Sequence, residues 1–346
     1  MNSEMSLRVP TARRRLKCHN LSWEEVETAA RKILTATSEN LGIDQRWTFN
    51  YHYYAMRAAP TIVLRAKHRN LPHAVAVKYL HQTDGRLISR AKSEFAMLCE
   101  LHAKLDPKHR SIVARPFAST RHGYACEWVH LPRMKTVLLA SAFSASRRQR
   151  CIATAATNLR LMHDALGVRT KPLNTDAQIE RLKSSGGASL AWSSAVEKFV
   201  ELSHGFDGQM IPHGPVHADF TPGNILFGPK RSVIFDFGRT HKNGPTYSDM
   251  TYFLAYVIAY CTIGTNRTLQ SRIHEDVHTF MNAYGNQNVD DQEVIYYTYL
   301  AHILRRWGRH EAKSLDTNRS FHLRAYDRFA AGRMEHLCAR VMRHCF

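Results

Sequence analysis

Two aspartates, an asparagine and a histidine between residues 213 and 238 have the types and spacing for metal-assisted chemistry on phosphate. The stretch reads HGPVHADFTPGNILFGPKRSVIFDFG. His217 and Asp219 stand two apart, Asn224 follows five residues later, and Asp236 lies within Phe235-Asp236-Phe237-Gly238. A carboxylate beside a hydroxyl can orient it and take its proton. A second carboxylate and an amide oxygen are hard ligands suited to magnesium on nucleotide phosphates. Taken singly, Asp219 and Asn224 are ordinary turn formers and Asp236 an ordinary strand end. The spaced set is what points to phosphoryl transfer.

Positioning these groups is the task of the surrounding elements. Ile225-Leu226-Phe227 and Ser232–Phe235 are short apolar runs around Gly228-Pro229-Lys230-Arg231, so the stretch reads as loop, strand, tight turn, strand. Such a hairpin is expected to bring Asp236 back toward Asn224 and Asp219. Upstream, 47–54, 61–67 and 74–80 are rich in aromatic and β-branched residues, and Arg69–Pro72 separates the last two. They predict three antiparallel strands, and 112–118 and 123–129 complete a five-stranded sheet. Ser22-Trp23-Glu24-Glu25 is a capping-box pattern that opens a helix to about Leu41. Lys78 falls near the end of the third strand, where a lysine is usually a solvent-facing edge charge. A helix predicted over 87–105 carries Glu94 sixteen residues on, with Glu100 as a competing partner.

Further helices are predicted from Ser144 to about Gly167, over 189–204, and at 267–284, 290–308 and 319–344. Thr175-Asp176-Ala177-Gln178 is a second capping box, followed by a segment broken at Gly186-Gly187, and Ser248-Asp249 can cap an apolar helix over 250–262. The apolar stretch Thr251–Gly264 is too short to span a bilayer and reads as a buried core helix.

The HxD spacing, followed by Pro222-Gly223-Asn224-Ile225-Leu226, resembles the catalytic and metal segments of the protein-kinase-like superfamily. Within it the chain is most similar to the aminoglycoside phosphotransferase and choline kinase branch. The resemblance covers roughly residues 45–265. It implies an α+β, two-lobed protein-kinase-like fold with a small five-stranded antiparallel N-lobe and a larger, mainly helical C-lobe. The corresponding division is a tail and helix over 1–44, a nucleotide-binding N-lobe over 45–129 and a catalytic, acceptor-binding C-lobe over 130–346.

The resemblance also assigns roles. Asp219 would orient and deprotonate the acceptor hydroxyl. His217 would brace the catalytic loop or transfer protons. Asn224 and Asp236 would hold magnesium. Lys78, fixed by Glu94, would draw the α- and β-phosphates of ATP into line. The backbone of Glu127-Trp128-Val129 would meet the adenine edge, although ordinary strand residues explain this segment equally well. Leu161-Met162-His163 matches a signature of the branch and reads as structural, and Asp249 would brace the catalytic loop from behind or act only as a helix cap. One family feature is missing: Ala55-Met56-Arg57-Ala58-Ala59-Pro60 has no glycine where a phosphate-covering loop is expected. A different backbone path, a direct contribution from Arg57, or loss of tight ATP binding would each account for it.

A chain of 346 residues can hold two lobes with real cores, and its charge balance narrows the partners. There are 48 lysines and arginines against 29 acids, a formal net charge of +19, which favours anionic partners and disfavours a polycationic acceptor. A sugar or glycan acceptor is therefore expected, anionic or lipid-linked, with an aminoglycoside-type antibiotic as the alternative within the same chemistry. Arg305–Phe346 contains ten arginines and lysines against four acids, either a solvated helical face or a basic surface for a peripheral contact with the inner face of the membrane. Residues 1–20 are polar and basic and read as a solvated tail. The seven cysteines include no CxxC pair, which points to reduced thiols in the cytoplasm, and no apolar run follows Arg13-Arg14-Arg15 to make a secretory signal. A pseudokinase scaffold would keep the fold without turnover. No specific nucleic-acid partner is expected, because no recognition-helix or aromatic-ribbon motif accompanies the basic charge.

Overall fold

Alternation of apolar and polar residues along 61–80 is realised as the centre of a sheet with one deeply buried face. The structure, a computed structural model, describes residues 23–55, 61–80, 85–141, 144–261, 266–285 and 289–345. Residues 1–22, with the proposed Ser22 cap and basic tail, and residues 56–60, with Arg57, lie outside the described residues. Two compact units divide the described chain: residues up to Leu131 together with Val233–Thr240, and Pro132–Ser232 together with His241 onward.

In the first unit, α1 (Trp23–Leu41) precedes β1 (Trp47–Ala55), β2 (Thr61–His68) and β3 (Val75–Leu80). After α2 (Gly85–Lys104) come β4 (Pro116–Thr120) and β5 (Gly123–Glu127), and the antiparallel order is β1-β2-β3-β5-β4. Val26, Ala30, Ile33 and Leu34 recur at helical spacing on α1 and pack on Ile62, Leu64, Ala66, Val75 and Val77, which alternate along β2 and β3. The period of two puts Lys78 on the other face of β3, opposite Val63 of β2 and Tyr124 of β5.

The fourth strand starts later than the expected Ile112. A 3-10 turn over Pro107–Ile112 comes first, its Asp106 side chain accepting from the Lys108 N–H at 3.0 Å. Proline at its start and the Asp106 cap favour this turn over an extended chain.

In the second unit α3 (Met134–Ala140), which the sequence reading left unassigned, is followed by α4 (Ala145–Leu166), α5 (Thr175–Lys183) and α6 (Leu190–Ser203). The cap of α5 is Asn174, which accepts from the Ala177 N–H at 2.8 Å, and not Thr175, whose hydroxyl instead bonds Asp207. A three-stranded sheet was also unforeseen. It comprises β6 (Arg169–Pro172), β7 (Met210–Val216) and β10 (His241–Pro245), in the order β10-β7-β6. Prolines and glycines, and the mostly solvent-facing positions of β6 and β10, give no alternating pattern to read. Two short strands, β8 (Ile225–Phe227) and β9 (Ser232–Ile234), flank a turn closed by the Gly228 N–H donating to the Arg231 carbonyl at 2.9 Å.

The helices α7 (Tyr247–Cys261), α8 (Asn266–Tyr284), α9 (Val289–Leu315) and α10 (Phe321–Cys345) complete the unit, α9 running seven residues past its expected end. α7 is buried on almost every side, as its composition predicts, and no helix among the described residues is long and apolar enough to cross a membrane. Arg148 of α4 and Asp276 of α8 form a buried ion pair, with Nε to Oδ1 at 3.0 Å, and the Arg148 Nη1 also donates to the Cys261 carbonyl.

Gly123 supports the strand that carries Lys78. Its φ is +145°, and a Cβ there would lie 2.0 Å from the Lys78 carbonyl oxygen. Gly123→Ala is expected to destabilise the first unit by roughly 2–4 kcal/mol, overpacking and backbone strain together. A denaturant melt with an unchanged midpoint would contradict this packing.

Candidate active site

The sequence-predicted residues form two constellations, one in each unit. In the first, β3 presents Lys78 to Glu94 in the middle of α2. The Lys78 ammonium donates to Glu94 Oε2 at 2.6 Å and lies 3.6 Å from Asp236 Oδ1. Glu100, the competing partner, instead holds Lys104 one turn along the same helix at 2.7 Å. Glu94 is only 3% exposed, and this lysine is its ion-pair partner in the interior. Burial acts to lower the Lys78 pKa, but the Glu94 and Asp236 carboxylates outweigh it and the net shift is upward, which keeps the ammonium charged. Tyr124, whose ring lies 5.6 Å from the ammonium, has its phenol pushed well above the usual range by burial and by Glu94.

Asp236 has a φ of +65°, a conformation that costs a residue with a Cβ about 1–3 kcal/mol. Arg90, one turn before Glu94 on α2, places Nη2 3.8 Å from the Asp236 carboxylate. Gly238 makes room for that guanidinium, since a Cβ there would lie 2.4 Å from Arg90 Nε. Sequence reasoning passed over Arg90, although its spacing from Glu94 marks the same helix face.

At the end of β5 the Glu127 N–H donates to the Arg115 carbonyl and the Trp128 N–H to the Ala74 carbonyl, both at 2.8 Å. The half-buried Val129 comes next, and its N–H makes no hydrogen bond among the described residues.

In the second unit, the segment after β7 is shaped by Asp249. This carboxylate, fully buried in the first turn of α7, accepts from the His217 N–H at 2.6 Å and the Ala218 N–H at 2.8 Å. It caps a neighbouring loop and not its own helix, which already begins at Tyr247, so the helix-cap reading gives way to the bracing one. The grip fixes Ala218 at a φ of +59°. His163 of α4 stands behind, its Nε2 3.4 Å from Asp249 Oδ2 and its Nδ1 bonded to the Tyr284 hydroxyl at 2.7 Å.

His217 is wholly buried, with its ring edge-on to Phe220, and its Nδ1 accepts from the Asp219 N–H at 3.3 Å. That geometry suits a residue that holds the loop. Asn224 ends a 3-10 turn over Pro222–Asn224, and its amide donates to the Asp219 carbonyl at 2.9 Å. Two contacts thus fix the Asp219 backbone, while its half-buried carboxylate makes no hydrogen bond or ion pair among the described residues. No disulfide and no cluster of three or more His, Cys, Asp or Glu side chains able to hold a metal occurs among the described residues.

Solved structures share this architecture. An amicoumacin kinase, hAmiN, in complex with AMP-PNP, Ca2+ and Ami, matches at 15% identity with a TM-score of 0.56, over 91% of this chain and 96% of that one. A choline/ethanolamine kinase family protein from Mesorhizobium loti matches at 13% identity and a TM-score of 0.58, over 90% and 98%. A microcompartment-associated aminopropanol kinase matches at 12% identity and 0.59, over 92% and 98%. These likenesses define the fold as protein-kinase-like, α+β, with a five-stranded antiparallel sheet and a mainly helical remainder. The family model of the phosphotransferase enzyme family, APH, matches residues 68–279. The chain belongs to that family and is a kinase. No curated protein matches it in sequence.

Asp249→Asn keeps the size of the brace but turns an amide N–H toward a backbone N–H. With about 1.5–3 kcal/mol for a hydrogen bond to a charged group, ATP-dependent ADP release is expected to fall about 10- to 100-fold, with AMP-PNP affinity retained. Full turnover in this variant would show that the loop holds its shape without the carboxylate.

Proposed function

We propose that the enzyme moves the γ-phosphate of ATP to a hydroxyl of a small molecule or glycan, with a sugar or glycan intermediate as the acceptor. The observation that carries the reading is the Lys78 ammonium set between Glu94 and Asp236 at 2.6 and 3.6 Å. A charged lysine backed by a buried acid can draw the α- and β-phosphates into line, and an adjacent carboxylate can carry a metal on the same phosphates. In this reading residues 45–129 hold the nucleotide, with Glu127 and Val129 offering backbone groups to the adenine, and residues 130–346 hold the acceptor.

Asp219 orients the acceptor hydroxyl and receives its proton as the oxygen–phosphorus bond forms and the bond to the ADP oxygen breaks. His217 and Asn224 fix the Asp219 backbone. Asp236 and Asn224 are the residues that would hold magnesium in this reading, a carboxylate and an amide oxygen each being a hard donor of the type it takes. The bound metal supplies charge neutralisation on the phosphates, and the protein contributes positioning.

The +19 net charge favours a neutral or anionic acceptor over a polycation. The fold likeness to an amicoumacin kinase favours an antibiotic as the second reading. Parallel assays with sugars and with kanamycin-type acceptors separate the two. A lipid-linked acceptor would set the outer face of α10, with Phe321 and Phe329 80% and 67% exposed beside Arg328, against the anionic inner leaflet. Co-sedimentation with anionic but not neutral vesicles is the expected outcome of that arrangement.

Asp219→Ala is expected to lower acceptor-dependent ADP release about 10²-fold or more while leaving AMP-PNP affinity nearly unchanged. Absence of any magnesium-dependent nucleotide binding by calorimetry would end the phosphotransfer reading.

A further inference from the structure

The helix α9 carries a cationic cluster that the phosphotransfer reading leaves unused. His302, Arg305, Arg306 and Arg309 recur at helical spacing, and α5, which packs on α9, adds Arg181. Arg305 is half-buried, and Arg181 and Arg309 are exposed. None of these three makes an ion pair among the described residues. Two acids of α9 itself are engaged elsewhere. Glu311 caps α6 through Ala188 and Ser189, and Asp291 accepts from the Tyr247 hydroxyl at 2.7 Å.

Arg306 lies flat against α7, its guanidinium 4.5 Å from the Tyr252 ring centroid and 5.4 Å from that of Tyr256. The ring of His302 meets Tyr252 edge-on at 5.4 Å. Burial, then Arg305 and Arg306, lower the His302 pKa to about 3, so its imidazole is neutral and able to share a hydrogen bond. Burial, then Arg309 and, further down, Arg181 and Arg306, lower the Arg305 pKa, the mark of positive charges gathered without enough compensation. Holding like charges together costs free energy that an anion would recover.

The position of the cluster is telling. Tyr252 lies three residues after Asp249 on the same face of α7, about 4.5 Å along the helix axis, and Asp249 grips the loop that carries Asp219. The field of Asp249 also reaches His302.

We infer that Arg181, Arg305 and Arg309, with His302, form a subsite for an anionic group on the acceptor, a carboxylate, sulfate or phosphate ester, adjoining the Asp219 loop. The inference rests on the phosphotransfer reading and assigns the acceptor its charge. The subsite anchors the acceptor by that charge while its hydroxyl meets Asp219. A bidentate guanidinium fork suits each of these anions.

The test is calorimetric titration of the protein with glucuronate, glucose, glucosamine and inorganic sulfate, with and without AMP-PNP and magnesium, beside the double variant Arg305→Gln/Arg309→Gln. Glucuronate is expected to bind about tenfold or more tightly than glucose or glucosamine, from one or two charge-assisted pairs. The double variant should lose that preference, keep its AMP-PNP affinity and melt no lower than the parent, because it is relieved of like-charge repulsion. Equal binding of glucuronate and glucose, tighter binding of glucosamine, no binding of any anion, or an unaltered preference in the double variant would each overturn the subsite. A melting point that drops in the variant would mark the arginines as structural and overturn it as well. Failure of AMP-PNP to bind, with the anion preference intact, would instead remove the phosphotransfer reading and leave the anion site standing.

Discussion

A single buried carboxylate holding two backbone N–H groups sets the geometry of the second unit. Asp249 could be left in the interior only because charge-assisted hydrogen bonds from His217 and Ala218 compensate its desolvation, with His163 close behind. Those bonds in turn hold Ala218 in a left-handed conformation that an alanine would not adopt unaided. The turn they impose is what exposes the Asp219 carboxylate, and the contacts from His217 and Asn224 then lock its backbone. Removing the anion would release the strain at Ala218 and let the loop relax.

The first unit solves a similar problem with opposite charge. Lys78 lies on the less buried face of β3, where the sheet would otherwise offer it to water, and Glu94 and Asp236 together keep it charged against its own burial. Strain appears here too, at Asp236, and again sits beside an ionised group that over-determines it. Both constellations therefore use a fixed charge to maintain a backbone conformation that local propensity disfavours.

The excess of basic residues is not spread evenly as solvated surface. Part of it is concentrated where α9 meets α5 and α7, with aromatic rings of α7 beneath Arg306. Arginine tolerates such placement better than lysine because its planar, weakly hydrated cation can stack on tyrosine.

The local sequence determined what short-range chemistry can determine. Aromatic and β-branched runs marked the five-stranded sheet, with its fourth strand set too early, and helical spacing placed α1 and α4. The interval from Lys78 to Glu94 singled out the carboxylate that the lysine meets, ahead of Glu100. The sheet formed by β6, β7 and β10 was illegible, because its glycines, prolines and exposed positions carry no alternating period, whereas the small helix α3 does carry Met134, Val137 and Leu138 at helical spacing, a signal that sequence reasoning passed over. Only the tertiary structure decided that Asp249 braces a loop instead of capping a helix, that Arg90 joins Asp236, and that Arg181 and Arg305 share one neighbourhood. These are contacts between residues far apart in the chain, and a carboxylate or guanidinium has the same local signature whether its partner is water, its own helix or a distant backbone amide.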